Sequence, residues 1–363
     1  MNNSNRFFYA DALFAASNSA EGFKCYYDSV FERERLFHLY IIKGGPGTGK
    51  SSFMRDVGEY FEGLGRRVAY YKCSSDPDSL DGIITDFGVA LIDGTAPHSA
   101  EPEIAGARDD IVDLGAFWDS SRLVDRYPEI CELCYAKNEA YRRVYRYLSA
   151  AGSLLRLQRE RAAGALRWDK MRASVLRILE RIGAGEGFSL TPALIDSIGM
   201  KGRVRYSSYE DAADIVYEIN DTRSSGAFFL MTLIEMSRKY GHKTYVSYDP
   251  ITPEYPDAVL LFDARVAFVL GDEQGVEREY KCPVKRINME RFLDMDMPCM
   301  QKAYYKRMHT LSGELSELAC GEFEVVSKYH FELEAIYRKS MDFAAKERFT
   351  LSFCERLRDT YCK

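Results

Sequence analysis

The sequence predicts an α/β protein with two tandem units, each a sheet flanked by helices and followed by a helical segment. Three observations lead to this prediction. A glycine-rich loop separates an apolar strand from a helix, a similar strand and helix pattern returns 177 residues later, and helical periodicity follows each copy. The chain has 363 residues, a length that corresponds to about two or three domains.

The composition excludes several classes of protein. The chain carries 49 Lys and Arg against 55 Asp and Glu, so its net charge of −6 gives no overall attraction to nucleic acid or to an anionic membrane. Apolar residues make up 46% and charged residues 29%, as in globular proteins. No apolar run approaches the roughly 20 residues of a spanning helix, and no signal peptide is recognised. With nine scattered cysteines, these features predict a cytoplasmic protein without a membrane partner.

The first unit opens with a phosphate-binding loop. Residues 39–42 form an apolar run typical of a buried strand, and apolar residues recur at helical spacing over residues 51–64. Between them, residues 44–51 match the pattern G-x-x-x-x-G-K-[ST] in the context that this motif requires. Glycines let the backbone wrap around a polyphosphate, and a helix N-terminus favours its negative charge. The predicted nucleotide-binding residues are Gly44, Gly45, Pro46, Gly47, Thr48, Gly49, Lys50, Ser51 and Ser52.

The motif assigns a role to three side chains. Lys50 is expected to reach the β- and γ-phosphates, and the Ser51 hydroxyl is expected to ligate Mg²⁺. A P-loop site also needs an acid at the end of a neighbouring strand. Asp93 follows four apolar residues and is predicted for that role, the alternative being an Asp that merely opens a turn. The predicted cofactors are therefore ATP and Mg²⁺, and no base-reading motif distinguishes ATP from GTP.

Two further acids and a histidine are candidates at the same edge of the sheet. Residues 67–73 predict a second strand, followed by an acidic turn that contains Asp76 and Asp81. In a parallel sheet this turn lies beside the phosphate loop, where either acid can orient a water or a substrate hydroxyl. The alternative is that Asp-Pro and Asp-Gly pairs simply form turns. His98, just past Asp93, is either a catalytic or sensing residue or a structural one.

The second unit repeats the first without its active residues. The matched positions include Tyr40 with Tyr217, Gly65 with Gly241, Asp81 with Asp257, and Asp93 with Leu270. Lys50 faces Ala227, or Gly226 in the neighbouring register, so the second loop lacks the lysine, the hydroxyl and the acid. The sequence therefore predicts one live site and one degenerate unit. The alternative is two unrelated α/β stretches.

The predicted architecture is a pair of tandem P-loop NTPase-like domains, each a three-layer α/β/α arrangement with helical appendages. We expect the nucleotide-binding domain in residues 1–126 and a helical segment in residues 127–200. A degenerate P-loop-like domain is expected in residues 201–297 and a C-terminal helical segment in residues 298–363.

A basic stretch lies in the first helical segment. Residues 137–181 hold twelve Lys and Arg against four acids. These arginines either face phosphates or form a solvated face paired with acids elsewhere. We expect Arg142, Arg143 and Arg146 to act as a lid that brings one arginine to a γ-phosphate. Nucleic acid is not an expected partner, because these arginines are interleaved with apolar helix positions.

Three segments resemble a known family. The runs KGGPGTGKSS, YYKCSSDPDSLDG and ALIDGTAPH are similar to those of a family of uncharacterised bacterial tandem P-loop ATPases. The resemblance implies two P-loop-like halves with helical segments after each, and it places the nucleotide loop at residues 44–51. It also places the family's CSSDxDSLDG turn at residues 73–82 and its DGTAPH segment at residues 93–98. Many members keep a P-loop in both halves, and this sequence departs from them in its second half.

The predicted function is that of an ATP-binding P-loop protein, a Mg-dependent ATPase with one live site in the first half. One alternative is a phosphotransferase, or kinase, that acts on a small molecule or nucleotide. Another is a nucleotide-gated scaffold with little turnover. Each of these implies an acceptor or a protein partner that the sequence does not identify.

Overall fold

The computed structural model describes residues 7–271, 278–297 and 300–362, which form an α/β fold with two mixed six-stranded sheets. The elements of the first half are β1 (Leu13–Phe14), β2 (Ala16–Ser19), β3 (Gly22–Cys25), α1 (Tyr27–Val30), β4 (His38–Lys43), α2 (Lys50–Glu62), β5 (Val68–Lys72), β6 (Leu80–Thr85), β7 (Val89–Asp93), β8 (Asp109–Asp113), α3 (Ser120–Val124), α4 (Tyr127–Gly164) and α5 (Trp168–Ile182). Those of the second half are β9 (Ser189–Pro192), β10 (Asp196–Gly199), β11 (Gly202–Arg205), α6 (Ser208–Ala212), β12 (Ile215–Asn220), α7 (Gly226–Tyr240), β13 (Lys243–Tyr248), β14 (Pro256–Leu261), β15 (Val266–Leu270), β16 (Val284–Asn288), α8 (Lys302–Lys339) and α9 (Phe343–Tyr361).

The two sheets have the same strand order. The first runs β1-β5-β6-β7-β4-β8 and the second runs β9-β13-β14-β15-β12-β16. The register corresponds as well, because His38 pairs with Val89 in the first sheet and Ile215 pairs with Val266 in the second. Each of these pairs is 51 residues apart in the chain. A duplicated unit would produce this correspondence.

Both sheets are mixed, whereas the sequence led us to expect parallel strands. β6 runs antiparallel to β5 and β7, and the other neighbours in the first sheet are parallel. The reason is the connection after β6: residues 86–88 are too few for a crossover, and Gly88 turns the chain with φ of 80°. Asp81, expected in a turn, is therefore a strand residue.

The inner faces of the two sheets contribute to one shared hydrophobic core. Alternate residues of β4 point to opposite sides of its sheet, as the period of a strand requires. Leu39 and Ile41 belong to the shared core, which also contains Val216 and Leu260 of the second sheet. The short helices α1 and α6 pack into the same core. The two halves are therefore joined by a common interior.

The outer face of each sheet is covered by a helix that follows the other half of the chain. On the first sheet, Phe353 and Leu357 of α9 pack in one cluster with Phe53 of α2. On the second sheet, Val175 and Leu179 of α5 pack with residues of α7. The helix α9 therefore packs on the first half, and α5 packs on the second.

The long helices α4 and α8 lie antiparallel and connect the two halves. Tyr141 of α4 contacts Phe323 of α8 with ring centroids 6.2 Å apart, and Arg161 lies 4.0 Å from the ring centroid of Tyr304. Buried residues at helical spacing form the seam: Ala140, Val144, Leu148, Ala151, Ala319, Phe323 and Val326. No helix among the described residues is long and apolar enough to cross a membrane.

Two hairpins also reach across to the opposite half. Beside the β2–β3 hairpin, the amide of Ala20 donates to the carbonyl of Ile251, and beside β10–β11 the amide of Met200 donates to the carbonyl of Ser75. Ala20 precedes Met200 by 180 positions, and Ser75 precedes Ile251 by 176. The two contacts are thus equivalent, which gives the halves an approximate twofold relation.

Replacing Phe353 tests whether α9, which follows the second half in the chain, packs on the first half. The Phe353 side chain is 1% exposed, and its ring lies 5.2 Å from that of Phe53 and 4.9 Å from that of Tyr40. We expect Phe353→Ala to lower the free energy of unfolding by about 3–5 kcal/mol in urea titrations. Leu351→Ala on the same helix is the control, because Leu351 is 63% exposed. Equal effects of the two changes would contradict the packing of α9 on the first half.

Candidate active site

The loop between β4 and α2 follows a path that needs glycine. The φ angles of Gly44, Gly47 and Gly49 are 149°, 71° and 83°, a region that other residues rarely adopt. A Cβ atom on Gly44 would lie 2.7 Å from Oγ1 of Thr48, and one on Gly47 would lie 2.6 Å from the carbonyl oxygen of Glu334. Both the backbone and the close approach of α8 therefore require these residue types.

The side chain of Lys50 lies inside the loop. Its ammonium group donates to the carbonyls of Gly44 at 3.0 Å and Gly45 at 3.1 Å, and it lies 3.6 Å from Oδ2 of Asp93. The hydroxyl of Thr48, a fully buried residue, donates to the same Gly45 carbonyl at 2.9 Å. The loop therefore surrounds the ammonium group of Lys50. In this position the ammonium can bind the oxygens of a polyphosphate.

The sheet brings Asp93 to the loop. β7 is the parallel neighbour of β4, and Asp93 is paired in register with Ile42, just before the loop. Oδ1 of Asp93 accepts hydrogen bonds from the amide of Thr95 at 2.9 Å and from its hydroxyl at 2.6 Å. Burial raises the pKa of Asp93, and the nearby Lys50 ammonium opposes that rise.

The two serines after Lys50 have different surroundings. Oγ of Ser51 accepts a hydrogen bond from the amide of Leu80 at 2.9 Å and lines the cleft beside the loop. Oγ of Ser52 donates to the carbonyl of Gly49 and accepts from Nζ of Lys346, both at 2.9 Å. Ser52 therefore joins the start of α2 to α9.

Ser51 and Asp93 form a donor set that suits Mg²⁺. Both supply oxygen, and Mg²⁺ in proteins is commonly held by one or two such side chains together with waters and substrate phosphates. Within the three described ranges, no group of three or more His, Cys, Asp and Glu side chains is arranged to hold a metal ion. The set therefore fits an ion that arrives with a polyphosphate.

Asp81 lines the cleft and His98 lies behind it. Asp81 is 3% exposed, and its Oδ2 lies 3.1 Å from Nε2 of His98, whose ring stacks on Tyr27 with centroids 4.7 Å apart. Burial by itself opposes a charged imidazole, but the Asp81 carboxylate prevails and raises the pKa of His98 to about 12. His98 is thus a buried cation that supports an acid of the site.

Asp76 does not line the cleft. Its Oδ2 accepts a hydrogen bond from the hydroxyl of Ser79 at 2.8 Å, and its carbonyl accepts from the amide of the same residue at 2.9 Å. These are the bonds of a turn-forming Asp. Of the two acids considered together in the sequence, only Asp81 reaches the cleft.

The cleft beside the loop has a volume of about 340 Å³ and a roof that the sequence analysis missed. Its floor comes from the phosphate loop, β6 and β7, and its roof comes from α8 and the start of α9. The roof residues are His330, Glu334, Arg338 and Phe343. The only sequence signal for them was a polar stripe at a spacing of four residues on a predicted helix.

The arginines expected to form a lid lie elsewhere. Arg142 pairs with Glu139 on its own helix, and Arg143 pairs with Glu322 of α8 at 2.9 Å. Neither of these residues, nor Arg146, lines the cleft. The expectation fails because the C-terminal end of α8 lies over the phosphate loop. The sequence analysis gave as an alternative that these arginines pair with acids elsewhere, and Arg143 does so through Glu322.

The corresponding loop of the second half is filled by its own carboxylate. Asp221 accepts hydrogen bonds from the amides of Gly226 at 2.5 Å and Arg223 at 3.1 Å, and from the hydroxyl of Ser225 at 3.1 Å. It therefore takes the position at the start of α7 where an anion is favoured. The serine, like the amide of Gly226, is buried, and these donors are already engaged by Asp221.

Comparisons with protein-family models, with curated proteins and with solved structures gave no match. The resemblance to tandem P-loop ATPases therefore stays a prediction based on the three segments quoted above.

The ion pair of His98 and Asp81 predicts how stability depends on pH. Because the pKa of His98 is raised, its contribution is complete below about pH 6.5 and declines above it by up to about 1.4 kcal/mol per pH unit. Between about pH 7 and about pH 9, the free energy of unfolding should therefore fall more steeply in the wild type than in His98→Gln. Urea titrations at several pH values measure this, with His309→Gln, outside the cleft lining, as the control. Parallel profiles for wild type and His98→Gln would contradict the ion pair.

Proposed function

We propose that this protein is a magnesium-dependent ATPase with one nucleotide site, in its first half, and that each half is a P-loop NTPase-like three-layer unit. The observation that carries the proposal is the loop at residues 44–51. It combines glycines of positive φ, a central lysine and a serine in the first turn of a helix. The acid that such a site needs, Asp93, lies 3.6 Å from that lysine.

In this proposal the phosphate chain lies along the loop and the N-terminus of α2. Lys50 exchanges its contacts with the Gly44 and Gly45 carbonyls for contacts with β- and γ-phosphate oxygens. Backbone N–H groups of the loop and the positive end of the helix stabilise the remaining charge. The glycines allow the backbone to approach the phosphates without steric conflict.

Ser51 and Asp93 are the residues that would hold Mg²⁺, directly or through water. When bound there, Mg²⁺ would supply positive charge that offsets the negative charge developing on the phosphate oxygens during phosphoryl transfer. The bonds from Thr95 keep the Asp93 carboxylate in one orientation. The pairing of β7 with β4 keeps that carboxylate at the end of the loop.

We assign to Asp81 the role of orienting the group that attacks the γ-phosphate. Asp81 is buried, its Oδ2 lies 3.1 Å from Nε2 of His98, and both Asp81 and Lys50 line the cleft. A carboxylate in this position can orient a water molecule and accept its proton. In the hydrolase, that water attacks the γ-phosphate.

A phosphotransferase is the second candidate, and one observation favours it. The cleft continues past the loop to Ser79, Leu80 and Phe343, so apolar and polar groups lie beside Asp81. Such a surface suits a small acceptor with a hydroxyl group, which Asp81 would orient in place of water. Release of ADP that depends on an added acceptor separates this activity from hydrolysis.

We also infer that the protein works in the cytoplasm. The eight cysteines that lie in the described residues are all free thiols. Free thiols in this number suit a reducing compartment.

The degenerate second loop predicts the stoichiometry of binding. Isothermal titration with Mg-ATP should give about one site per chain, because Asp221 closes the second loop. Lys50→Ala should reduce this to no measurable site at the same concentrations, since it removes the cation inside the first loop. Lys239→Ala, an exposed lysine of α7, is the matched control. A wild-type value near two would overturn the assignment of a single site.

Replacing Asp93 separates binding from turnover. Asp93→Asn keeps the size of the side chain but weakens the coordination of Mg²⁺, so phosphate release should fall by roughly 10²-fold or more. The affinity for nucleotide should change less. Asp28→Asn, an exposed acid of α1, is the control. Unchanged hydrolysis in Asp93→Asn would mean that another acid serves the metal. Tight binding with negligible wild-type turnover would indicate a nucleotide-gated scaffold.

A further inference from the structure

We propose that Arg338 is a catalytic residue of the nucleotide site and that α8 delivers its guanidinium group to the γ-phosphate. This inference rests on the proposed function, because it assigns a transition-state role within the same cleft. It also means that the helix following the second half completes the active site of the first.

The C-terminal end of α8 touches the phosphate loop at two glycines. A Cβ atom on Gly47 would lie 2.6 Å from the carbonyl oxygen of Glu334 and 3.0 Å from Cγ of Arg338. One on Gly45 would lie 2.8 Å from the ring of Tyr337. The stem of Arg338 is therefore in contact with the loop, and its side chain is part of the cleft wall.

The charge of Arg338 is uncommitted. Among the described residues, its guanidinium group has no hydrogen bond and no ion pair, and the residue is exposed. Two other cations that touch the loop are engaged. Lys50 donates to loop carbonyls, and Lys346 is 3% exposed and bound to Ser52 and Asp56. Arg338 is thus the described cation of the roof that is free to bind a new anion.

The chemistry of phosphoryl transfer needs such a group. The water oxygen forms a bond to the γ-phosphorus while the bond to the bridging oxygen breaks, and that electron pair stays on the β-phosphate of ADP. The water proton passes to Asp81 and from there to the phosphate product. Negative charge builds on the bridging and equatorial oxygens, and a guanidinium can donate two parallel hydrogen bonds to them.

An acid, Glu334, lies next to Arg338 in the roof of the cleft. Glu334 lies one helical turn earlier and pairs with Nε2 of His330 at 3.6 Å. Among the described residues, no ion pair joins Glu334 to Arg338. In the part of the chain that the structure describes, Arg338 is therefore the cation of the roof without an ion pair, beside a loop that already holds Lys50.

Three variants test the inference. Arg338→Ala removes the guanidinium, Arg338→Lys keeps the charge without the planar pair of donors, and Lys339→Ala is a control. Lys339 is the adjacent exposed cation, and its carbonyl oxygen accepts a hydrogen bond from Arg122. Each protein is titrated with Mg-ADP, with Mg-ADP plus aluminium fluoride as a mimic of the transition state, and with Mg-ATP under turnover.

We expect Arg338→Ala to bind Mg-ADP within about threefold of the wild type, because ADP lacks the γ-phosphate. It should lose the tightening produced by aluminium fluoride, and its turnover should fall by about 10³-fold or more. Arg338→Lys should recover only a small part of both. Lys339→Ala should match the wild type in all three measurements.

The outcomes separate the inference from the proposed function. If wild type and Arg338→Ala bind Mg-ADP and are trapped equally well by aluminium fluoride, Arg338 has no catalytic role and the nucleotide site stands. If the wild type binds Mg-ADP without any tightening, the inference is likewise overturned. If the wild type binds neither nucleotide, the proposed function and the inference both fail. Thermal melting of every variant checks that exposed Arg338 is not needed for folding.

Discussion

The packing of α9 against α2 is the constraint on which the rest of this structure depends. Phe353 closes the outer face of the first sheet beside Phe53, and Lys346 fixes the start of α2 through Ser52. Because α9 is held there, the end of α8 must lie over Gly45 and Gly47. The phosphate loop, its roof and the helix that orders both are therefore one mechanical unit.

A comparison of the two halves separates the features that the fold needs from those that the proposed nucleotide site needs. Both keep the strand order, the outer helix and a buried acid on the antiparallel strand, Asp81 in one half and Asp257 in the other. Burial raises the pKa of Asp257. Only the first half combines that acid with a central lysine and an open loop. In the second, Asp221 stabilises the helix start internally, which preserves the fold without an external anion.

Local patterns carried much of the information in the sequence. The glycine positions, Lys50 and the placement of Asp93 beside the loop follow from one strand, one loop and one neighbouring strand. The position of Asp81 was harder to predict from the sequence. Whether its strand runs antiparallel to its neighbours depends on the length of the connection to the next strand. The roof residues depend on a contact between positions 294 residues apart, which no local pattern encodes. The arginines of α4 were predicted as a lid because of their local charge. Tertiary packing places α8, and not α4, over the phosphate loop.

The long separation between α2 and α9 affects how the protein is made. A chain that grows at about 5–20 residues per second needs roughly 15–60 seconds to add the 294 residues between Ser52 and Lys346. During that time the surface of α2 and of its sheet that α9 covers, around Phe53 and Tyr40, lacks its final cover. The first half therefore reaches its final packing only after the second half has been synthesised.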